Sequence, residues 1–483
     1  MSKFEINPLE IFDLNQIKKR IENTTNPKDL LTIIETIETR LNFIKSTIYD
    51  NHFFLVAPGT HEKSSKWIKS LIDYGSLDIK KIEKLISHGF VVFSRALLKT
   101  KSVFDIFESL GFTNDLLLLD KDYGLVLLPE PSKKKNFYFG MNELTRYGET
   151  YPLLQEQLSN LLSIGAMRVH ALINSKFDFS PIEIELSSRE ELLSYVNLLN
   201  EKLQKSNSRF QIWFRGQSSE YFMDKLDTSL FEFCPWRSIL DVSLVPSLFR
   251  KSELIQNDLK GYATKLYEIL NYEIGLSNHL NIPKYEIRKS EVDEIKKFFL
   301  KSVWEDSNAP LSIKVVNSEF GTSEIHDYNP IYRGLQTSLF LQHYGIQTNI
   351  LDITQDIDSA IFFAQHTLTC GKYIKQEEID KSVIYLFLLD PKTDRFLDST
   401  ILLENFGIQR PLRQKCGVLA GASYSNQNYY SKFVSIRFKL SKHIEMKSGV
   451  TKDYLFPPIE NDDILKFLTK YSEEKELTTV KPF

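Results

Sequence analysis

The chain has few cysteines, little net charge and no long hydrophobic run, and each shortage excludes a class of protein. Its three cysteines, Cys234, Cys370 and Cys416, are far apart in a chain of 483 residues. This spacing argues against a disulfide scaffold and against a zinc site built from close cysteine pairs, and it favours a reducing, cytoplasmic environment. The charges, 60 basic against 63 acidic residues, give no overall field that would recruit nucleic acid or an anionic membrane.

Neither membrane insertion nor secretion is indicated. No apolar run reaches the roughly 18 residues of a membrane-spanning helix, and the N-terminal MSKFEINPLEIF lacks the apolar core of a signal peptide. What the chain does have is an ordinary globular composition, with 42% hydrophobic and 25% charged residues. Its length allows two or three domains, each with its own hydrophobic core.

Residues 1–177 predict a mainly helical N-terminal region. Asn26 and Pro27 suit a helix start. Apolar residues then recur every three or four positions from Leu30 to Ile48, as in a helix that packs or self-associates. A homo-oligomer formed through these helices is therefore one expectation. The region is also expected to contain helices at 63–76 and 79–98 and a hairpin near 123–141, with strands at 123–128 and 136–141.

Residues 178–445 predict strands and helices of an α+β domain, and residues 446–483 predict a C-terminal helix and tail. Ser187 and Glu190 form a capping box at the start of the first helix. The apolar run at 382–390 is typical of a buried central strand. Further strands are expected at 181–186, 213–217, 350–354 and 433–440, and helices at 187–203, 251–280, 290–304, 358–367 and 461–472.

Two of these strands carry polar side chains that a purely core-forming strand does not need. Residues 213–217 include Arg215, and residues 350–354 include Asp352 and Thr354. Side chains alternate between the two faces of a strand, so Asp352 and Thr354 share a face. A buried strand must either pair such groups or use them. The sequence therefore predicts a binding or catalytic site formed by both strands.

Five short motifs occur in the order typical of one protein family. They are Trp-Phe-Arg-Gly-Gln at 213–217, Pro-Ser-Leu-Phe-Arg at 246–250, Leu-Gln-His-Tyr-Gly at 341–345, Ala-Ile-Phe-Phe-Ala at 360–364 and Arg-Gln-Lys-Cys-Gly at 413–417. Together they resemble the FRG domain family, named for its Phe-Arg-Gly motif, over about residues 180–440. The chain departs from the family pattern Pro-Thr-Arg-Leu-Leu-Asp-Trp-Thr at 347–354, where it lacks the proline, the arginine and the tryptophan. Residues 231–241 also look like an insertion.

This resemblance implies a fold and an activity. The FRG family is similar in its strand-motif order to the ADP-ribosyltransferases, which implies a mixed α/β domain with a split central sheet. It also implies transfer of ADP-ribose from NAD, or hydrolysis of NAD, by a toxin or antiviral-defence effector of bacterial type. The implied catalytic residues are Arg215, Asp352, Thr354 and Gln414, and the implied cofactor-binding residues are Arg215, Gln217, His343, Tyr344 and Thr348.

These residue types suit that chemistry, in which the nicotinamide–ribose bond breaks through a cationic, oxocarbenium-like state. Arg215 can hold a phosphate or a ribose through the two parallel hydrogen bonds of a guanidinium. Thr354 can offer its hydroxyl to the ribose or the carboxamide, and Gln414 can orient the ribose. A neutral amide cannot stabilise positive charge as a carboxylate does. Either Asp352 supplies that negative charge or the domain only binds its ligand.

Other interpretations of the same residues stay open. The main alternative function is a non-catalytic module that binds a nucleotide or a partner and regulates assembly. Arg215 and Asp352 can also form a buried ion pair between two strands. Gln414 can organise a loop, and His343 can be a hydrogen-bonded turn residue. The acceptor of ADP-ribose, whether protein, nucleic acid or water, does not follow from the sequence.

Two other kinds of active site are disfavoured. A hydrolase that uses Ser338, His343 and Asp352 would lack the usual Gly-x-Ser-x-Gly motif around its nucleophile. A metal site through Asp352, Asp356 and Asp358 would lack the glycine and the distal glutamate of a calcium loop, and these acids are expected to cap the next helix. No metal is predicted.

Overall fold

The computed structural model describes most of the chain after residue 160 and parts of the region before it. The described residues are 14–27, 29–30, 33, 84–85, 87–88, 90–94, 116–130, 135–140, 160–173, 178–224, 226, 234–238, 242–250, 265, 268–269, 271–273, 275–276, 279–280, 292–300, 313–316, 325–328, 339–369, 372–391, 394, 396–398, 408–422 and 426–477.

Strands and helices alternate irregularly along the chain. The strands are β1 Phe90–Ser94, β2 Leu116–Asp120, β3 Leu125–Glu130, β4 Lys135–Gly140, β5 Ile182–Leu186, β6 Gln211–Gln217, β7 Ile313–Val316, β8 Ile325–Tyr328, β9 Leu351–Thr354, β10 His366–Thr369, β11 Lys372–Lys375, β12 Val383–Leu389, β13 Phe396–Asp398, β14 Cys416–Leu419 and β15 Val434–Leu440. The helices are α1 Leu14–Asn23, α2 Ile164–Ile173, α3 Arg189–Lys205, α4 Val292–Leu300, α5 Ile357–Gln365, α6 Gln409–Arg413, α7 Lys452–Leu455 and α8 Asp463–Glu474.

A mixed sheet of seven strands forms the centre of the fold, in the order β13-β14-β9-β6-β12-β15-β5. Its pairings are antiparallel except for the parallel pair of β15 and β5. All seven residues of β12 are buried, which confirms the central strand predicted at 382–390. The sheet and the helices around it give the α+β class that the sequence predicts.

Each face of this sheet covers a separate hydrophobic core. Side chains alternate along β6, so Trp213 belongs to one core and Phe214 to the other. The Phe214 core also contains buried residues of α2, α3 and α5. The Trp213 core contains Tyr344 and residues of α8. The sheet is therefore buried on both sides, as its long apolar strands indicate.

Gly216 lets α5 lie directly on strand β6. A Cβ atom at this position would stand 1.8 Å from the carbonyl oxygen of Ala360, a distance no side chain can occupy. The glycine of the Phe-Arg-Gly motif is therefore required by packing, and the helix with the Ala-Ile-Phe-Phe-Ala motif is the element that requires it. The Trp-Phe-Arg-Gly-Gln motif and the Ala-Ile-Phe-Phe-Ala motif therefore pack directly against each other.

Helix caps differ in detail from those predicted. Ser188 caps α3 by accepting a hydrogen bond from the Glu191 N–H at 3.1 Å, and the Glu191 carboxylate accepts from the Ser187 N–H at 2.7 Å. The predicted capping box of Ser187 and Glu190 is therefore wrong by one residue. The helix predicted at 358–367 ends at Gln365, where strand β10 begins.

The N-terminal region contains a four-stranded antiparallel sheet in the order β1-β2-β3-β4. The predicted hairpin near 123–141 is confirmed as β3 and β4. The helix predicted at 79–98 is wrong for Phe90–Ser94, which forms β1, because its aromatic and β-branched residues suit a strand. The helix at 63–76 and most of the apolar stripe from Leu30 lie outside the described residues.

Helix α2 precedes the domain start predicted at 178 but packs with the domain. A Cβ at Gly165 would lie 2.2 Å from the carbonyl oxygen of Phe433, and Arg168 donates to the carbonyl of Leu388 at 2.8 Å. Arg168 also forms an ion pair with Asp394. The helical layer of the central sheet therefore begins at residue 164, earlier than the sequence indicates.

The segment at 231–241, which resembles an insertion, contributes to docking of the N-terminal sheet. Asp120 at the end of β2 is fully buried and accepts hydrogen bonds from Trp236 at 2.6 Å and from Arg237 at 2.5 and 2.7 Å. The turn after β2 also accepts from the N–H groups of Gln427 and Asn428 at 2.9 and 2.7 Å. Among the described residues, no helix is long and apolar enough to cross a membrane.

Candidate functional site

A row of polar side chains crosses the central sheet on the face that carries Trp213. Cross-strand register places Arg215 of β6 opposite Tyr385 of β12, Tyr385 opposite Arg437 of β15, and Arg437 opposite Glu183 of β5. Residues in register on neighbouring strands project from the same face. Arg437 pairs with both Glu183 and Glu220. Arg215 is thus the end of a charged row on an otherwise apolar face.

Arg215 binds the main chain of Asp352. Its Nη1 donates to the Asp352 carbonyl oxygen at 2.8 Å, and its buried Nε has no hydrogen-bond partner among the described residues. Burial lowers the pKa of the guanidinium, and the Asp352 carboxylate offsets part of this effect. The ion pair considered for these two residues is therefore replaced by a main-chain contact, and the buried Nε–H of Arg215 is left without a partner in the described part of the chain.

A second guanidinium, that of Arg250, lies in the same electrostatic environment. Its Nε donates to the Val245 carbonyl at 3.0 Å. Arg250 is exposed over much of its surface, but desolvation at its guanidinium, followed by repulsion from Arg215, lowers its pKa to about 10, although Tyr221 and Asp352 oppose the shift. Arg250 ends the Pro-Ser-Leu-Phe-Arg motif, but no role for it was predicted from the sequence.

Thr348 positions the segment that carries Arg250. The carbonyl oxygen of Thr348 accepts from the Leu248 N–H at 3.0 Å, and its N–H donates to the Ser247 hydroxyl at 3.0 Å. Its own hydroxyl donates to Gln342. Because Thr348 is fully buried, its side chain has a structural role here, and its predicted contact with a cofactor stays a prediction.

Asp352 has a carboxylate that is partly open to solvent. Its side chain is 30% exposed, and its Oδ1 atom is 3.9 Å from His343 Nε2. This Oδ1 has no hydrogen-bond partner among the residues that the structure describes. Tyr373 is also close enough for Asp352 to contribute to the raised pKa of its phenol, after the larger effect of burial. Asp352 is thus the accessible carboxylate of this region.

His343 and Cys416 form a buried pair beside Asp352. His343 Nε2 and Cys416 Sγ are 2.9 Å apart. Burial lowers the pKa of the imidazole, although Asp352 and an interaction with the Gln414 amide raise it. Burial also raises the pKa of the Cys416 thiol. Both groups are therefore neutral at pH 7, and Cys416 is not an activated nucleophile.

The polar groups of Thr354 and Gln414 are committed to contacts within the protein. Thr354 Oγ1 donates to the Gln414 carbonyl at 2.5 Å and accepts from the Asp356 N–H at 2.9 Å. The Gln414 side chain is 3% exposed and donates to the Leu455 carbonyl at 3.2 Å. The structure thus brings Thr354 and Gln414 together near Asp352, as structural contacts, and their catalytic roles stay predictions.

The remaining predicted residues differ in accessibility. Tyr344 is fully buried, and its hydroxyl donates to Asp462 at 3.0 Å. Gln217 is half-buried at the end of β6, opposite Val383. Asp356 caps α5 by accepting from the Ser359 N–H at 2.9 Å, so the capping prediction is confirmed for this residue.

Two other residues from the disfavoured alternatives can also be placed. Asp358 binds Arg189 through two hydrogen bonds of 2.8 Å, so the cap prediction is wrong for it. Ser338 lies outside the described residues.

A cavity of about 390 Å³ opens on the same sheet face, with Arg437 in its wall. Arg437 and Arg215 are two strands apart, which corresponds to roughly 10 Å. Aromatic and charged side chains share the lining, among them Glu183, Phe222, Trp236 and Lys439. No local pattern in the sequence indicates this cavity, because its residues come from separate segments of the chain.

Comparisons with known proteins add no relative to this description. No protein-family model, curated protein or solved structure matches the chain. We therefore infer the function from the geometry of Arg215, Asp352 and their neighbours.

Proposed function

We propose that this protein binds NAD at Arg215 and cleaves the nicotinamide–ribose bond, transferring ADP-ribose to an acceptor or to water. The observation that carries the proposal is the half-buried side chain of Arg215, held by the Asp352 carbonyl at 2.8 Å and with a buried Nε that has no partner among the described residues. A positioned guanidinium that is only partly exposed and short of one partner is suited to bind an anionic or hydroxylated ligand.

The ligand class follows from the charges around Arg215. Arg250 shares its environment, and the cavity at Arg437 lies on the same face. Two guanidinium groups suit a pyrophosphate, because each can form paired hydrogen bonds to phosphate oxygens. The aromatic lining of the cavity by Phe222 and Trp236 suits a nucleobase. A dinucleotide such as NAD combines both requirements.

Asp352 supplies the negative charge for bond cleavage in this proposal. Its carboxylate lies on the strand next to Arg215 and is partly exposed. Bond cleavage leaves positive charge on the ribose, which a fixed carboxylate stabilises. A mixed sheet with an arginine on one strand and a carboxylate on its neighbour is compatible with an FRG-type, ADP-ribosyltransferase-like domain, and that finer fold assignment is part of the proposal.

The second candidate function is a nucleotide-binding module without catalysis. One observation favours it. Thr354 and Gln414, the two other residues expected in catalysis, both use their polar side chains in hydrogen bonds within the protein. In that case Arg215 and Arg250 bind the ligand, and binding changes the arrangement of partners instead of breaking a bond.

Titration calorimetry with NAD and a cleavage assay with labelled NAD, alone and with cell lysate, test the proposal. Arg215→Ala should weaken NAD binding by about 10- to 100-fold, the value of one or two charged hydrogen bonds. Arg215→Lys should recover little of this, because an ammonium lacks the planar fork. The matched control is Arg209→Ala, since Arg209 is 54% exposed and pairs with the buried Asp390, which is not part of the proposed site.

The outcomes separate the two candidates. Binding and cleavage that both depend on Arg215 support the transferase-like activity. Binding that depends on Arg215 without any cleavage, across candidate acceptors, supports the binding module. Full function in Arg215→Lys, or wild-type protein that does not bind NAD, contradicts the proposed role of Arg215.

A further inference from the structure

Three metal-ligating side chains converge beside the proposed NAD site. One donor atom from each of His343, Asp352 and Cys416 lies within 4.8 Å of the other two. The residues come from three parts of the chain: the helical turn at 339–343, strand β9 and strand β14. Cys416 pairs with Thr354 in the β9–β14 register, so Cys416 and Asp352 project from the same sheet face. The pairing of β9 with β14 therefore brings Cys416 and Asp352 close to each other.

Hydrogen bonding alone does not account for this arrangement. His343 Nε2 is 2.9 Å from Cys416 Sγ and 3.9 Å from Asp352 Oδ1. The Cys416 thiol donates to the Gly417 carbonyl at 3.1 Å and can accept from the His343 ring, whereas Asp352 Oδ1 lies beyond hydrogen-bond distance of that ring. A catalytic triad would place the carboxylate on the other ring nitrogen. Hydrogen bonds thus explain the position of Cys416 but not that of Asp352 Oδ1, and the three donor atoms are close enough to be ligands of a common centre.

Asp352 gives an independent indication of a missing partner. Its Oδ1 is buried at the level of the atom and has no hydrogen-bond partner in the described part of the chain. A buried carboxylate oxygen without a partner destabilises the folded protein, because it has lost its hydrogen bonds to water. A cation at the centre of the cluster would remove this cost.

We propose that His343, Asp352 and Cys416 bind one zinc ion, with the fourth position left for water or a ligand atom. Nitrogen, oxygen and sulfur donors in a set of three with one open position are typical of catalytic zinc sites. Zinc bonds of about 2.0–2.3 Å at tetrahedral angles place ligand atoms about 3.5 Å apart. The observed 2.9 and 3.9 Å bracket that value.

Charge and outer contacts also favour zinc. Cys416 binds as the thiolate and releases one proton, so the two negative ligands balance the two positive charges of the ion. The Gln414 amide interacts with the His343 ring, and Arg410 donates to the His343 carbonyl at 3.2 Å. The contact with Gln414 is of the kind that orients a ligating imidazole, and the contact with Arg410 holds the main chain of the same residue. The charge of Arg410 is matched by Asp462 at 2.9 Å.

The zinc site and the proposed NAD site share Asp352 and are otherwise separate. A zinc-bound carboxylate is a weaker stabiliser of an oxocarbenium ion, so zinc is expected to slow any NAD cleavage. The test for zinc uses no NAD, so the zinc proposal and the NAD proposal can fail independently of each other.

Metal content and cobalt spectroscopy test the zinc site. The full chain is stripped with a chelator, reloaded with Zn²⁺ or Co²⁺ and freed of excess metal. We expect one zinc per chain by mass spectrometry, and with Co²⁺ a near-ultraviolet thiolate charge-transfer band. Cys416→Ser should abolish that band, and Asp352→Asn should lower zinc affinity by at least about 100-fold, more than the loss of an outer-shell contact. Cys234→Ser, a buried cysteine outside the cluster, is the control.

Each outcome decides the question. Loss of the band in Cys416→Ser with its retention in Cys234→Ser supports the site. Wild-type protein that binds neither metal, or a band that survives in Cys416→Ser, overturns it. Should Cys416→Ser fail to fold by circular dichroism, the decision passes to Asp352→Asn, whose side chain is partly exposed. Unchanged zinc affinity in that variant also overturns the site.

Discussion

Arg215 and Asp352 are in contact, yet the guanidinium binds the carbonyl of Asp352 at 2.8 Å and not its carboxylate. The sequence also allows an ion pair between these two side chains, which would have neutralised both groups. The main-chain contact instead fixes Arg215 and leaves the carboxylate oxygen Oδ1 without a hydrogen bond in the described structure. A site with one oriented cation and one uncommitted anion can bind two different ligand groups.

Asp352→Asn should separate ligand binding from bond cleavage. The contact to Arg215 uses the main chain, so the variant keeps it, and NAD affinity should stay within about 3-fold of wild type. Turnover should fall by about 100-fold or more, because an amide does not stabilise the cationic transition state. Calorimetry and the labelled-NAD assay measure the two effects. Equal losses in affinity and turnover would show that the carboxylate acts in binding.

Gln414→Glu should destabilise the fold more than Gln414→Ala does. Gln414 is buried and donates to the Leu455 carbonyl, which a carboxylate cannot do. The alanine variant should lose about 1–2 kcal/mol of unfolding free energy, and the glutamate variant about 3 kcal/mol or more from an unpaired buried charge. Urea denaturation measures both. A stable glutamate variant that cleaves NAD faster would place Gln414 in the catalytic site after all.

Gly216→Ala should disrupt the contact between β6 and α5. The added Cβ would lie 1.8 Å from the Ala360 carbonyl oxygen, so the helix must move, and we expect a loss of about 4 kcal/mol or more. Gly449→Ala is the matched control, because nothing lies within 4 Å of its Cβ position and only its φ of +98° resists the change. That variant should lose about 1 kcal/mol. Similar unfolding midpoints for the two variants would contradict the close packing.

Acid should remove the contribution of the Arg189–Asp358 pair. Burial tends to raise the Asp358 pKa, but the hydrogen bonds from Arg189 and from the Lys447 N–H outweigh it and hold the pKa below its ordinary value of 3.8. A lowered folded-state pKa stabilises the protein above the unfolded value, and this stabilisation is lost as pH falls through the folded value.

Arg189→Gln is the variant that tests this pair. It should cost about 3 kcal/mol at pH 7, and the difference from wild type should shrink below about pH 4. Urea denaturation across this pH range measures the difference. A cost that does not change with pH would assign the effect to packing.

Patterns within short stretches of sequence correctly predicted the strands and helices whose formation depends on those stretches alone. The apolar run of Val383–Leu389 predicts a buried strand, and it is one. The hairpin of β3 and β4 and the final helix, observed at Asp463–Glu474, were also found. Errors occurred where a neighbour decides the outcome. Phe90–Ser94 forms a strand because β2 pairs with it, and α2 belongs to the sheet domain because Gly165 fits against Phe433.

The sequence by itself determined which strand residues are costly to bury: Arg215 and Asp352 stand among apolar neighbours and require partners. It also determined that Trp213 and Phe214 face opposite ways, because strand alternation is a local property. Only the tertiary structure decided which partner each polar group obtains. Arg215 bonds a carbonyl, Gln414 bonds Leu455, and His343 meets Cys416. Those pairings depend on how strands far apart in the chain align, and no local pattern encodes that alignment.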